Sequence, residues 1–379
     1  MAWLIWSVVA VMVAGCSVTQ PFAEQVQTPF SEAPTTSVPT VDPQRLPLTP
    51  FPTRAPVATL SADLMSSVAD AETHTMQLYA QSVAAIASIE STFAHPSVAD
   101  APVAEQILVS QGSGFLYDDQ GHIVTNAHVV SGKNEYLVRL GASQPISATV
   151  IGRDTASDLA VLALHDVVDI APLPLSNRTP GVGMWVMTIG NPLGLRNTMT
   201  LGTISGVGRS LMGERSETGF FRIPNIIQVD AAINPGSSGG VLLDRTGAVL
   251  GITTAIQSES GSFEGVGYAI PVQSIERIVP DLIAVGSFAH PWLGIGMRNM
   301  PESDGGGVRV VNVAPDSPAA QAALQADVDI IVAINATPIR TSGDLDIVLS
   351  TTQVGQTITL TLQRDGQIVE QPLTLMARP

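Results

Sequence analysis

Gly236-Ser237-Ser238-Gly239-Gly240 concentrates the residue types most able to do chemistry in this chain of 379 residues. Glycines on either side let the main chain take angles that expose a hydroxyl and let amides converge on one point, as a nucleophile requires. Gly and Ser also dominate ordinary turns, so the flanks decide. Asn234-Pro235 enters from a β-branched run and Val241-Leu242-Leu243 leaves as another, which embeds the turn in a sheet. A serine hydroxyl is a weak nucleophile near pH 7 and needs a base, itself oriented by an acid. Of the six histidines, His74 and His95 lie in the N-terminal segment, His122 in an Asp-Gln-Gly turn, His165 after an apolar run, and His290 before Pro291. Only His128 sits in an apolar context, Thr125-Asn126-Ala127-His128-Val129-Val130, where the plain alternative is a core histidine with satisfied hydrogen bonds. Asp158 precedes Leu159-Ala160-Val161-Leu162, at the mouth of a buried strand, where a carboxylate is costly without a partner. Asp154 is its rival.

The order His, Asp, Ser is that of chymotrypsin-type enzymes, whereas in α/β-hydrolases, whose Gly-x-Ser-x-Gly elbow the sequence also fits, acid and histidine follow the serine. Here only His290 lies downstream, and Ser238 is followed by strand, turn and strand. Other hydrolytic designs fail on residue types. No His-Glu-x-x-His run exists, Asp154-Thr155-Ala156 lacks the glycine of an aspartic-protease loop, and Lys133, the only lysine, is followed by Asn134 and not Ser or Thr. A metal-free, cofactor-free and ATP-independent activity is expected.

The elements that must position these side chains show in the pattern of short β-branched runs from Gln106 onward: ILVSQGSGFLY, HIVTNAHVV, EYLVRL, SATVIG, LAVLAL, MWVMTIG, TLGTISGVG, IIQVDAAI, GVLLD, AVLGITTAI and GVGYAIP. Gly, Asn and Asp turns separate them too closely for crossover helices, which predicts an all-β sandwich or barrels. Ser274 to Val285 reads as an amphipathic helix through Ile275, Ile278, Val279 and Ile283. Phe288 to Pro379 mixes four strands with two helical stretches, a small α+β module. Upstream, Leu64, Val68, Ala71 and Leu78 are spaced for a helix over Leu60 to Tyr79, Val83 to Ile89 reads as a first strand, and Phe93 to Glu105 as a loop.

Thirty-three acidic against seventeen basic residues give a net charge of −16, which disfavours nucleic acid and leaves no polybasic membrane patch. The first fifteen residues, MAWLIWSVVAVMVAG, are apolar but short for a membrane span, and read as the core of an export signal, although no Lys or Arg precedes them. Val13-Ala14-Gly15-Cys16 resembles a bacterial lipoprotein processing site, which makes Cys16 a lipidation candidate; the alternative is a free cysteine in an uncleaved signal anchor. As the single cysteine, Cys16 has no partner for a disulfide within the chain. Pro21 to about Pro56 is rich in Pro, Thr and Ser and predicts an extended tether.

Over Gln106 to Pro271, the stretches GSGFLYDDQGHIVTNAHVV, SDLAVL, IGNPLGL, TLGTISGVGRS, IIQVDAAINPGSSGG and GVGYAIP resemble the HtrA (Deg) family of extracytoplasmic trypsin-like serine proteases. The resemblance implies a chymotrypsin-like double β-barrel with the site between barrels, His128 as base, Asp158 as acid, Ser238 as nucleophile, and the amides of Gly236 and Ser238 as oxyanion hole with Ser237 forming the turn between them. Family members usually carry Asn where Ser237 stands. Trypsin-type enzymes that cleave after Arg or Lys have an aspartate six residues before the nucleophile. Ala232 stands there, so the pocket of Ala232 and Ile233 is expected to take Val or Ala side chains.

The C-terminal part resembles a PDZ domain. Trp292-Leu293-Gly294-Ile295 matches the loop that receives a peptide's terminal carboxylate, beside a groove bounded by the next strand and a helix over Asp344 to Leu349, where a peptide would add as a strand. Ala323 and Asp327 replace the family's usual glycines, and a module that only packs on the protease is the alternative. The expected division is 1–20 signal, 21–58 tether, 59–285 protease domain and 288–379 PDZ domain. Expected partners are unfolded polypeptides, peptide C-termini and further copies of the chain, a trimer by resemblance, with membrane contact only through an N-terminal anchor. The expected location is periplasmic or cell-surface. A competing class is a chaperone-like binding protein with little turnover.

Overall fold

The computed structural model describes residues 62–94, 107–130, 135–166, 168–216, 219–256 and 263–379. The export signal, Cys16 and the tether lie outside the described residues. Among those described, no helix is long and apolar enough to cross a membrane.

Six strands form a first closed barrel: β1 (Ile86–Ala94), β2 (Ile107–Leu116), β3 (His122–Thr125), β4 (Glu135–Leu140), β5 (Ile146–Asp154) and β6 (Leu159–Leu164), in the order β1-β2-β3-β6-β5-β4. A second closed barrel contains β7 (Trp185–Gly190), β8 (Thr198–Ser216), β9 (Gly219–Val229), β10 (Val241–Leu243), β11 (Val249–Ile256) and β12 (Gly267–Pro271), in the order β10-β11-β12-β9-β8-β7. Closure leaves neither sheet with a free edge. Phe115, Ile89, Ile123, Leu159 and Leu162 are almost fully buried in the first barrel; each contributes about 1.5–3 kcal/mol by leaving water. A separate cluster of Ile204, Ile227, Val229, Ile233, Leu242 and Leu250 fills the second.

Helix α1 (Ala62–Ser82) precedes the barrels and α2 (Val272–Val285) follows them, its face of Ile275, Val279 and Leu282 buried. The remaining chain forms a sheet of β14 (Ile295–Asn299), β15 (Val308–Val313), β16 (Ile330–Ile334), β18 (Thr357–Arg364) and β19 (Gln367–Thr374), with β17 (Thr337–Pro338) paired to β16. The pair β13 (Pro291–Trp292) and β20 (Met376–Ala377), short helix α3 (Pro318–Gln321) and helix α4 (Ser342–Ser350) complete it. The start of α4 is set by a capping box, in which Thr341 and Asp344 satisfy each other's amides.

Several sequence expectations change in three dimensions. Val83 to Ala85 form a 3-10 turn, so β1 starts at Ile86 and continues through Phe93 and Ala94, because these two residues pair with Leu108 and Ile107 of β2. In α1, Val68 and Ala71 are exposed, whereas Leu78 near its end is buried. The pair β8–β9 extends beyond the apolar runs as a bulged hairpin. Residues Asp230 to Ile233 leave the sheet, with Asp230 accepting from the Thr203 amide and hydroxyl. His122 is the first residue of β3, its Nδ1 2.6 Å from Asp118.

Ala323 and Asp327, which stand where glycines are usual, have φ of 53° and 62°. The left-handed region strains alanine more than aspartate. Ala323→Gly is therefore expected to stabilise this module by about 0.5–1 kcal/mol, the gain in strain exceeding the added entropy of the unfolded glycine. Calorimetry checks it: an unchanged or lower Tm contradicts the strain.

Candidate active site

The first barrel positions the imidazole and its carboxylate by strand pairing. Thr125 at the end of β3 lies opposite Ala160 of β6, which puts the segment after Thr125 beside the turn before Leu159. That proximity is stitched by the Asp158 carbonyl, which accepts from the Ala127 amide at 3.1 Å and from Asn126 Nδ2 at 3.0 Å. Asp158 has φ of 56°, a conformation that aspartate tolerates better than most residues. Its side chain thereby faces His128. The Nδ1–H of His128 donates to Oδ1 and Oδ2, each at 2.9 Å, and the His128 amide donates to Oδ1 at 3.0 Å. Since both partners of Nδ1 are carboxylate oxygens, Nδ1 carries the proton and Nε2 is left as the basic atom.

The rival carboxylate does something else. Asp154 accepts from the amides of Ala156 and Ser157 and from the Ser157 hydroxyl, so it caps the turn leading to Asp158. It also pairs with His290 Nε2 at 2.8 Å. Burial pushes its carboxyl up, but these hydrogen bonds and the neighbouring imidazole outweigh burial and hold it below the usual range.

The serine comes from the second barrel. Asn234 O accepts from the Ser237 amide at 2.8 Å across Pro235 and Gly236, and Gly236 has φ of 93°, the pattern of a type II turn with Pro then Gly. At Gly239 only glycine fits, because an added Cβ would lie 1.9 Å from the Ser113 carbonyl oxygen. The turn is pinned to β11, where the Gly239 amide donates to Thr253 O and the Thr253 hydroxyl to Ser237 O, at 2.8 and 2.6 Å.

Thr254, next along β11, joins the two barrels. Its hydroxyl donates to Asp158 Oδ2 at 2.6 Å, while its carbonyl accepts from Ser238 Oγ at 3.1 Å. Ser238 and Asp158, which are remote in sequence, are thus both engaged by one threonine, and Asp158 in turn holds His128. Sequence reasoning did not single out Thr254; the two threonines that interrupt the apolar run VLGITTAI were its only local signal. Asn126, also missed, gave an equal hint as an amide inside an apolar run.

Ala232 is half-buried, its carbonyl accepting from Thr200 Oγ1 at 2.9 Å, and Ile233 is buried in the second barrel's cluster. In the C-terminal module, Trp292 pairs with Met376 and Leu293 is a core residue. The Leu293 carbonyl accepts from Ala319, and the Gly294 carbonyl from Ala314. Gly294 has φ of 81°, and an added Cβ would lie 2.1 Å from Ser317 Cβ. Met297 of β14 and Asp346 and Leu349 of α4 line a cavity of about 410 Å³, together with Arg222, Arg277 and Ile278 of the barrel unit. Burial pushes the Asp346 carboxyl up to about 6, against the pull of Arg222 and Arg378.

Residues 112–252 match the family described as trypsin-like peptidase domain, and residues 291–375 that described as PDZ domain. The chain is 37% identical over 288 residues to the putative serine protease HhoA of Synechocystis sp., covering 69% of this chain and 70% of that relative. It is also 37% identical over 279 residues to the probable periplasmic serine endoprotease DegP-like of Pseudomonas savastanoi pv. phaseolicola, covering 71% of this chain and 56% of the relative. The chain therefore spans little more than half the length of the second relative. Among solved structures, HtrA-type protease AlgW with tripeptide superposes with a TM-score of 0.66 at 30% identity, over 80% of this chain and 97% of that one. With both modules matched in the same order and a solved relative covered almost end to end, the chain belongs to the HtrA (Deg) family of trypsin-like serine endopeptidases that carry a PDZ domain.

Proposed function

We propose that this protein is an ATP-independent endopeptidase that degrades unfolded or mislocalised polypeptides outside the cytoplasm through an acyl-enzyme on Ser238. The observation that carries the reading is the double contact of Thr254 with Ser238 and Asp158, because it ties nucleophile and acid from separate barrels to one residue. In the reaction, Ser238 Oγ leaves the Thr254 carbonyl and attacks the scissile carbonyl carbon while His128 Nε2 takes its proton. Asp158 stabilises the imidazolium, which then protonates the leaving amine as the C–N bond breaks. Water, deprotonated by His128, then attacks the ester carbon, and the imidazolium returns the proton to Ser238 Oγ as the acyl–oxygen bond breaks. The amides of Gly236 and Ser238 receive the oxyanion, a contribution of about 10²–10³ in kcat per donor. Ala232 and Ile233 favour cleavage after small or medium aliphatic residues.

The PDZ domain, over 288–379, captures peptide C-termini at Trp292, Leu293, Gly294 and Ile295, with the peptide running along β14. The AlgW structures with decapeptide and with tripeptide support peptide binding. The protease domain spans 59–285, residues 1–20 direct export with Cys16 as the lipidation point, and 21–58 serve as tether. The assembled form is a homo-oligomer, a trimer. Relatives named periplasmic support the location.

A fluorophosphonate probe and unfolded casein test the reading. Wild type is expected to be labelled once per chain and to cut casein after aliphatic residues, while Ser238→Ala is unlabelled and inactive. A folded wild type that resists the probe, or labelling that persists in Ser238→Ala, rejects it.

A further inference from the structure

Ser113, in the middle of β2, has no exposed surface, yet it touches both residues whose amides face the oxyanion in the reading above. Its amide donates to the Ser238 carbonyl at 2.8 Å, and its hydroxyl lies 2.7 Å from the Gly236 carbonyl. The direction of the second bond follows from the other partners. Ser113 Oγ accepts from the Asn191 amide at 2.8 Å and from Asn191 Nδ2 at 3.3 Å, so its single proton is left for Gly236 O. Asn191 is itself held, because Nδ2 also donates to Ala87 O at 2.9 Å and Oδ1 accepts from the Asn197 amide at 3.0 Å. The hydroxyl has one way to point.

The consequence is local to the turn. The peptide plane between Gly236 and Ser237 is gripped at both ends, its carbonyl by Ser113 and its N–H by Asn234 O. Only the two soft torsions of Gly236, ψ and φ, lie between that plane and the Gly236 amide; φ stands at 93°, and glycine alone shows little preference for one sign of φ over the other. A fixed carbonyl therefore restrains the direction of the amide next to it. We propose that Ser113, oriented by Asn191, is a positioning residue of the first barrel that keeps the Gly236 amide turned toward the developing oxyanion. This rests on the oxyanion-hole assignment and adds what holds that hole open before substrate arrives.

The test uses the full chain and a chromogenic peptide with an aliphatic residue before the scissile bond. Ser113→Ala is expected to lower kcat about 10- to 100-fold, somewhat less than complete loss of an oxyanion donor, with KM changed less than about twofold because a positioned amide acts mainly on the transition state. Affinity for a peptide boronate, whose tetrahedral adduct needs the same amides, should fall in parallel. Asn191→Ala leaves the hydroxyl free to rotate and should give the same split at smaller size, while the double variant should be no worse than Ser113→Ala alone. The proposal is overturned by an unchanged kcat in Ser113→Ala, by a fall in kcat without weaker boronate binding, or by additive losses in the double variant. If Ser113→Ala does not fold, the kcat and boronate readings of Asn191→Ala decide in the same sense. Fluorophosphonate labelling of the wild type separates the two readings: an unlabelled wild type rejects the protease mechanism, whereas a labelled wild type beside an unaffected Ser113→Ala rejects the clamp alone.

Discussion

Asp158→Asn is expected to lower kcat by about 10⁴-fold while leaving KM and the fold nearly unchanged. The carboxylate accepts three hydrogen bonds, from the His128 ring, the His128 amide and the Thr254 hydroxyl. An amide of the same shape has a single acceptor oxygen and must turn an NH₂ toward one of those partners. Facing the ring, that NH₂ selects the imidazole tautomer with its proton on Nε2, and the base can no longer accept from Ser238. The imidazolium also loses its counter-charge. Because the side chain keeps its volume and the Asp158 carbonyl keeps its bonds to Ala127 and Asn126, binding should survive. Steady-state kinetics on a peptide substrate, with thermal unfolding as the control for structure, decide the matter. A fall of less than about tenfold in a stable variant would place the orienting acid elsewhere, and Asp154, now engaged by His290, would need to be tested next.

Arg364→Ala is the substitution expected to cost the C-terminal module most, about 3 kcal/mol, because it strands a buried carboxylate. Asp329 has no exposed surface. Its oxygens accept from Arg364 Nε at 2.6 Å and Nη2 at 2.7 Å in a two-pronged pairing, and from the Gln325 amide at 2.8 Å. Burial alone would raise the carboxyl; the Arg364 hydrogen bonds, the Gln325 amide and the guanidinium charge together lower it below its ordinary value. A carboxylate depressed in the folded state contributes its full stability above the unfolded value near 3.9 and loses it as pH falls through the lower folded value. The variant should therefore shift the urea midpoint by about 1–2 M at pH 7, and by much less near pH 2. Equal shifts at both pH values, or none, would show that the pair contributes little.

Much of this architecture could be read before any coordinates. Leu159–Leu164 forms a strand over the residues of its apolar run, and residue type, order and context single out Ser238 and His128 and favour Asp158 over Asp154. The stretches that misled share a cause. Val68 and Ala71 have helical spacing but are exposed, and Phe93 and Ala94 look loop-like but pair with Leu108 and Ile107 of β2. Periodicity reports a segment's own preference, whereas burial and strand length depend on what other segments supply.

The sequence by itself determined which chemistry it offers: one glycine-caged serine, one histidine in an apolar run and aspartates before a buried strand, with neither a His-Glu-x-x-His run nor a phosphate-binding loop. It also determined the order in which they occur and hence the family they resemble. Tertiary structure supplied the reason that separates Asp158 from its rival, since the two aspartates differ in partners and not in type: Asp158 meets the imidazole of His128 and Asp154 that of His290. It likewise decided that Thr254 and Ser113, inconspicuous in the linear chain, stand between the barrels at the serine turn. Hydrogen-bond partners separated by a hundred residues leave no local pattern, and only closure of two barrels against each other brings them within three ångströms.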